Sequence, residues 1–273
     1  MVKRDDKTKT IYYEDELNDD FMDIGLERKE VPQTYKYLRK NKFYNFFSNI
    51  FYFGIVKPIL SVFSFFHGVR VKNRKLLKEV KKEGAFIYAN HTAAIDAFVI
   101  QTYVVRCKRT EIIGYSDSVH VPVLKHVGRC LGYLPLPVHD LKIAGKLVEA
   151  IDFYNKEKHH ILIYPEAHIW PYYTDIRPFA SASFHYPAKL KAKVVPIVTT
   201  YRKVWYSKKP KMTLIVGKPI APKEGATVHE NREYLRNECY REMKEISDAN
   251  RTIEYFHYVK TEKEEEKPEQ SSC

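Results

Sequence analysis

Paired cysteines are missing from this chain. Its four cysteines (Cys107, Cys130, Cys239 and Cys273) show no CxxC step and no finger pattern. That argues against a disulfide framework and fits reduced thiols in a cytosolic compartment. No His/Cys/Asp/Glu cluster has metal-ligand spacing and no Gly-rich loop is built to cradle a phosphate, so no metal and no cofactor is expected. The opening MVKRDDKTKTIYYEDELNDD has no apolar h-region, so secretion is not expected. No RNP-like motif or other recognised nucleic-acid module occurs, so nucleic acid is not an expected partner.

Aromatic residues and positive charge are plentiful instead: aromatics are 14% of 273 residues and the formal net charge is +12. The charge is segregated. Residues 1–30 carry ten acids against six bases, residues 261–273 carry five against two, and the body between them holds +19. Such a body suits an anionic partner: nucleic acid, an anionic lipid surface or a phosphorylated small substrate. The length suits one α/β domain with short appendages.

The expected organisation has four parts. Residues 1–35 read as an acidic arm, ordered in part at most, and 261–273 (TEKEEEKPEQSSC) as a disordered charged tail. Residues 36–72 read as a membrane-associated helical anchor. There, FYNFFSNIFYFGIVKPILSVFSFFHGV breaks at Lys57-Pro58 into apolar runs of eleven and eight residues. Each falls short of the ~18–20 needed to span a bilayer. Both flanks are basic, with Lys36, Arg39, Lys40 and Lys42 before and Arg70, Lys72, Arg74 and Lys75 after. That fits a bent helical pair dipping into one leaflet of an anionic membrane, on its cytoplasmic face, as a peripheral or monotopic protein.

Residues 73–260 form the expected enzymatic domain. NRKLLKEVKKE reads as helix, AFIYA as a buried strand, Ala93–Cys107 as helix and Glu111–Gly114 as strand. Val121–Leu131 and Asp140–Lys156 read as helices, HILIY as strand and Ser181–Leu190 as helix. Lys193–Tyr201 and Lys211–Gly217 read as paired strands, and about Glu230–Arg251 as a charged helix. This alternation predicts the α/β class: a mainly parallel central sheet flanked by helices, following an N-terminal membrane-associated helical segment. Sites in such sheets collect at the carboxyl ends of the strands.

One such end reads Asn90-His91-Thr92-Ala93-Ala94-Ile95-Asp96. A step of five in one regular helix would put His91 and Asp96 roughly 140° apart. They meet only if His91 sits in the strand-to-helix turn and Asp96 in the first helical turn. A carboxylate on one ring nitrogen then fixes the tautomer and supports the imidazolium formed when the other nitrogen takes a proton. Such a pair has no nucleophile of its own, which leaves that role to a substrate hydroxyl. Backbone N–H groups following His91 are candidate oxyanion donors.

The same residues resemble the NHx4D signature of the lysophosphatidate and glycerophosphate acyltransferase family. About 70 residues later, Tyr164-Pro165-Glu166 stands where that family has its FPEG motif, and Lys193–Ile197 resembles its late strand with an internal proline. Over about Val56–Gly217 the resemblance implies an O-acyltransferase of phospholipid synthesis, with His91 as general base and Asp96 as its orienter. It implies an acyl thioester donor (acyl-CoA or acyl-carrier protein) and a lysophospholipid acceptor, with 1-acylglycerol 3-phosphate favoured. Two blocks depart from the family. Glu166-Ala167-His168-Ile169 replaces EGTR, and LGYLPLPVHD lacks the usual arginine; these two arginines are the family's phosphate holders. Arg177 is the favoured substitute cation, with Lys142 and Arg202 as alternatives, and Glu166, His168 and Asn90 are the other expected substrate-binding residues. The alternatives are a non-phosphate acceptor or a catalytically inactive lipid-binding homologue.

Overall fold

The apolar runs read as buried strands form the middle of one seven-stranded sheet. The computed structural model describes residues 3–22, 29–106, 108–116, 120 and 122–261. Strands β2 (Arg70–Lys72), β3 (Phe86–Ala89), β4 (Thr110–Gly114), β5 (Tyr133–Pro135), β6 (His160–Ile163), β7 (Val194–Val204) and β8 (Ser207–Val216) lie in the order β2-β8-β7-β3-β6-β4-β5. From β5 to β7 the pairing is parallel; β8 is antiparallel to β7, and β2 is parallel to β8. β3 and β6 are buried at every residue, which is why both read as unbroken apolar runs rather than alternating ones.

Helices cover both faces, as a mainly parallel sheet requires. On one face α5 (Leu141–Lys156) and α7 (Val228–Asn250) pack Ile143, Leu147, Ile151, Leu235 and Met243 against Phe86, Tyr88 and Ile161. Asp140 caps α5 by accepting from the Lys142 and Ile143 N–H groups, and Thr227 with Glu230 forms a capping box on α7. On the other face α3 (Asp96–Val99) runs into a π-helical stretch, Ile100–Val104, that packs on Ile87, Ala89, Leu162 and Val195. The helix expected over 93–107 is thus shorter and half of it is π. The segment NRKLLKEVKKE, read as helix, is a 3-10 helix over Arg74–Val80.

The apolar segment departs most from expectation. α1 (Lys42–Asn49), a π-helical stretch (Ile50–Val56) and α2 (Lys57–Phe66) form one 25-residue helix, long and apolar enough to cross a membrane. Pro58 does not break it. The Lys57 N–H already bonds the Tyr52 carbonyl, five residues back. The proline ring therefore enters a widened turn rather than a tight α-ladder. The orientation is inverted for a soluble protein. Ser48, Tyr52, Lys57 and Ser64 face the body, while Phe43, Phe46, Phe47, Ile50, Ile59, Phe65 and Phe66 are exposed. The buried face is held by polar bonds: Tyr52 Oη to the Gln101 carbonyl (3.3 Å) and Lys57 Nζ to the Val105 carbonyl (2.6 Å).

The acidic arm holds more structure than expected. β1 (Lys3–Tyr13) pairs in parallel with β9 (Ile253–Lys260), a strand the sequence reading did not find. Farther along, Val31, Tyr35 and Tyr37 enter the core, with Tyr35 and Tyr37 donating to the carbonyls of Tyr133 and Pro135 on β5. The start of the expected anchor, residues 36–40, therefore belongs to the body. The tail beyond residue 261 lies outside the described residues.

Candidate active site

β3 ends at Ala89 and the chain turns before α3 begins at Asp96. That is the arrangement the five-residue step demanded. His91 Nδ1 lies 3.1 and 3.2 Å from the two Asp96 carboxylate oxygens, and its side chain is 16% exposed while Asp96 is fully buried. Asp96 Oδ2 also accepts the N–H groups of Thr92 (3.0 Å) and Ala93 (3.2 Å). These bonds fix the carboxylate, but they also occupy the two nearest candidates for an oxyanion hole. The Thr92 and Ala93 N–H groups are thus spent on Asp96.

Tyr164 is a site residue that the spacing alone did not single out. The β3–β6 register sets Tyr88 opposite Ile163, so the next residue of β6's exit stands beside the His91 turn. Its ring stacks on the imidazole at 4.0 Å with 20° between planes. Burial, and then the Asp96 carboxylate, push the Tyr164 phenol well above its ordinary pKa, so it stays protonated. Tyr201 closes another side, with its hydroxyl 2.9 Å from Thr92 Oγ1.

The remaining expected residues serve the turn rather than an open cavity. Asn90 is fully buried and bridges β3 to β7: its Nδ2 donates to the Thr199 carbonyl (3.1 Å) and its Oδ1 accepts the Thr199 N–H (2.7 Å). Glu166 is buried against Arg177, accepting from its backbone N–H (3.1 Å) and from Nη2 (3.2 Å). Glu166 also takes the His91 backbone N–H, and burial pushes its carboxyl up while Arg177 opposes that shift. Arg177, expected to present a cation to the acceptor, is completely buried. Its guanidinium lies 4.7 Å from the Trp170 ring centroid and donates to the carbonyls of His168 and Glu16 (3.3 Å). Enclosed in this way the guanidinium braces the loop, and its Nε, which has no hydrogen-bond partner among the described residues, is shut away from solvent. The Glu166–Arg177 pair thus holds the backbone that carries His91.

His168 is less enclosed, and its Nδ1 lies 3.2 Å from Asp20 of the arm. The arm also covers Trp170, whose Nε1 donates to the Asp19 carbonyl and whose ring meets Tyr13, Phe21 and Tyr258. Trp170 and Tyr172 in turn give their backbone N–H groups to the His91 and Thr92 carbonyls. Ala167, which stands where the resembling motif has glycine, adopts φ 63°. Among the described residues no group of three His, Cys, Asp or Glu is placed to hold a metal.

The fold is thus a parallel-sheet α/β one with a His–Asp pair at the exit of a central strand. Residues 68–200 match the sequence model of the family described as Acyltransferase. The fold is similar to the crystal structure of the 1-acyl-sn-glycerophosphate (LPA) acyltransferase PlsC from Thermotoga maritima. That match has a TM-score of 0.51 at 18% identity and covers 75% of this chain and 93% of that one. No curated protein matches the chain.

Proposed function

We propose that this acyltransferase moves a fatty acyl group from an acyl thioester, acyl-CoA or acyl-carrier protein, onto a lysophospholipid hydroxyl at a membrane surface. The observation that carries the reading is the His91–Asp96 pair. With Nδ1 held by the carboxylate, Nε2 takes no protein partner among the described residues and faces the acceptor as the base. The acceptor O–H gives its proton to Nε2 as its oxygen attacks the thioester carbonyl. The tetrahedral intermediate then expels the thiolate, which recovers the proton from the imidazolium. Asp96 stabilises that imidazolium, and the Tyr164 stack limits its rotation.

The membrane reading rests on the inverted helix Lys42–Phe66. Its polar face is spent on the protein and its Phe and Ile side chains point outward, which is stable only against an apolar phase. We place this contact on the cytoplasmic face, in keeping with the basic flanks of the helix.

The favoured acceptor is 1-acylglycerol 3-phosphate, supported by the likeness to PlsC. A second reading, an acceptor without a phosphomonoester, is supported by the burial of Arg177 against Glu166 and the His168 carbonyl and by Asp20 on His168. The test offers the purified chain both donors with a panel of lysolipids and identifies the product by mass spectrometry. Product from 1-acylglycerol 3-phosphate alone supports the first reading, and product from zwitterionic or neutral lysolipids the second. No thioester consumption with any acceptor removes both.

A further inference from the structure

The chain has two tryptophans, and the protein treats them oppositely. Trp170 is completely buried, whereas Trp205 is 97% exposed at the turn between β7 and β8, with Tyr206 beside it 57% exposed. Leaving a large aromatic side chain in water forgoes the gain of burying it, and a patch of such residues marks a contact surface. Trp205 is not isolated. Arg202 donates to the Gly68 carbonyl, and the Tyr206 hydroxyl lies 3.0 Å from where a Cβ on Gly68 would stand. Gly68 follows the end of α2, where Phe65 and Phe66 are 67% and 78% exposed. The hairpin tip and the end of the apolar helix therefore form one aromatic patch.

Charge says what covers it. No acidic residue occurs between Glu30 and Glu79, or between Asp175 and Glu224; the first stretch contains the helix and the second contains the hairpin. Lys203, Lys208 and Lys209 are exposed on the hairpin, and Arg70 stands close enough to Arg202 to oppose its charge. Aromatic rings set among cations with no acid nearby match the interfacial zone of an anionic bilayer, where Trp and Tyr settle at head-group level and Lys meets lipid phosphate. Position agrees. β7 passes Ala89 of β3 at Ile197 and continues to Val204, so the tip projects beyond the same sheet edge from which His91 emerges.

We propose that the β7–β8 tip is a second membrane-contact element. Trp205 and Tyr206 enter the head-group region of an acidic phospholipid surface beside the end of the apolar helix, and Lys208 and Lys209 pair with lipid phosphates. This contact orients the His91 edge toward the bilayer that supplies the acceptor. It rests on the membrane reading above.

Because Trp170 is already buried, fluorescence reports on Trp205. The full chain is mixed with phosphatidylglycerol-containing vesicles and binding is followed by sedimentation. The expected result is a blue shift of tryptophan emission, with quenching by lipids brominated near the head group. Both signals should disappear in Trp205→Phe, which keeps an aromatic ring. Trp205→Ala with Tyr206→Ala should weaken vesicle binding about tenfold or more, and each of Lys208→Gln and Lys209→Gln about fivefold. Turnover of a short-chain acceptor present as monomers should stay at the wild-type value.

Vesicle-bound protein whose Trp205 emission does not move overturns this proposal and leaves the membrane reading standing. A blue shift that appears without vesicles as protein concentration rises overturns it in favour of a second copy of the chain. Absence of any vesicle binding removes both.

Discussion

At opposite ends of one sheet stand two histidine–carboxylate pairs whose carboxylates are fully buried but satisfied in different ways. At the carboxyl edge His91 meets Asp96, whose other partners are backbone N–H groups. At the amino edge His159 Nδ1 lies 2.8 Å from Glu111. There the same carboxylate also takes the Arg39 guanidinium and stands 3.6 Å from Arg109 Nε. The second cluster ties elements together. Arg39 comes from the segment before α1, and Arg109 reaches Asn49 (2.7 Å) and the Ser48 hydroxyl (3.0 Å) in the apolar helix. A histidine–carboxylate contact alone therefore does not define chemistry. What separates the pairs is how the carboxylate is satisfied. Neutral dipoles leave the negative charge to support an imidazolium, whereas two guanidiniums have already spent it.

The largest expected effect separates the pairs directly. His91→Ala should lower acyl transfer by about 10²–10⁴-fold, the usual loss for a general base, with little change in thermal stability. His159→Gln should leave turnover near wild type. Initial rates with saturating thioester, beside a melting curve for each variant, check both. Activity of His91→Ala within threefold of wild type would refute the assignment, and equal losses in the two variants would dissolve the comparison.

Stability should respond in the reverse order. Glu111→Gln leaves Arg39 and Arg109 buried without their counter-charge and should cost roughly 3–5 kcal/mol in denaturant unfolding, while the folded fraction keeps its activity. Burial by itself would raise the Glu111 carboxyl, but Arg39, His159 and Arg109 overturn that and hold it below the ordinary carboxylate range. A folded pKa below the unfolded one contributes stability above about pH 4.3 that is lost as pH falls further. Glu111→Gln should remove that part of the acid sensitivity.

How much of this was legible follows from the range of each interaction along the chain. The central strands and the His91–Asp96 geometry were readable because burial on both faces and a five-residue step are local signals. The sheet of β1 with β9 was not, since Thr10 pairs with His257 and neither strand carries an apolar pattern strong enough to announce the other. Arg39 and Glu111, 72 positions apart, are equally silent in one dimension. Arg177 is the instructive case. Its place eleven residues after Glu166 was visible, but its direction is set by Trp170 and by the arm that covers Trp170. The length of the apolar helix was missed because Lys57-Pro58 reads as a stop when the π-helical turn before it is unseen.

A smaller effect belongs to the amino edge. His160 is buried, its Nδ1 accepts the Ala85 N–H (3.1 Å), and burial with nearby Lys108 and His159 lowers its pKa to about 3. The unfolded chain takes up a proton near pH 6.5 that the folded protein refuses, so stability contributed above pH 6.5 is lost as pH falls toward 3. The slope reaches at most about 1.4 kcal/mol per pH unit. His160→Gln should flatten unfolding free energy between pH 6.5 and 4; an unchanged slope would show that other groups set it.

The smallest expected effect returns to the His91 edge. Ala167 adopts φ 63° in the loop between Glu166 and His168, a left-handed conformation that costs an L-residue with a Cβ roughly 1–2 kcal/mol. Glycine removes that strain but adds freedom to the unfolded chain, returning roughly 0.5–1 kcal/mol. Ala167→Gly should therefore stabilise the protein by no more than about 1.5 kcal/mol, read as a rise in Tm. Activity is the more telling measurement. The Ala167 N–H bonds the Tyr164 carbonyl and the His168 N–H bonds the Glu166 carbonyl, so this turn joins the ring stacked on His91 to the carboxylate that holds the His91 backbone. If the left-handed turn is needed only as a shape, glycine preserves it and kcat stays within about twofold. A larger fall in kcat with no loss of Tm would mean that the alanine keeps Tyr164 against the imidazole, and that the His91 edge, unlike the ion-paired amino edge, depends on a turn held under strain.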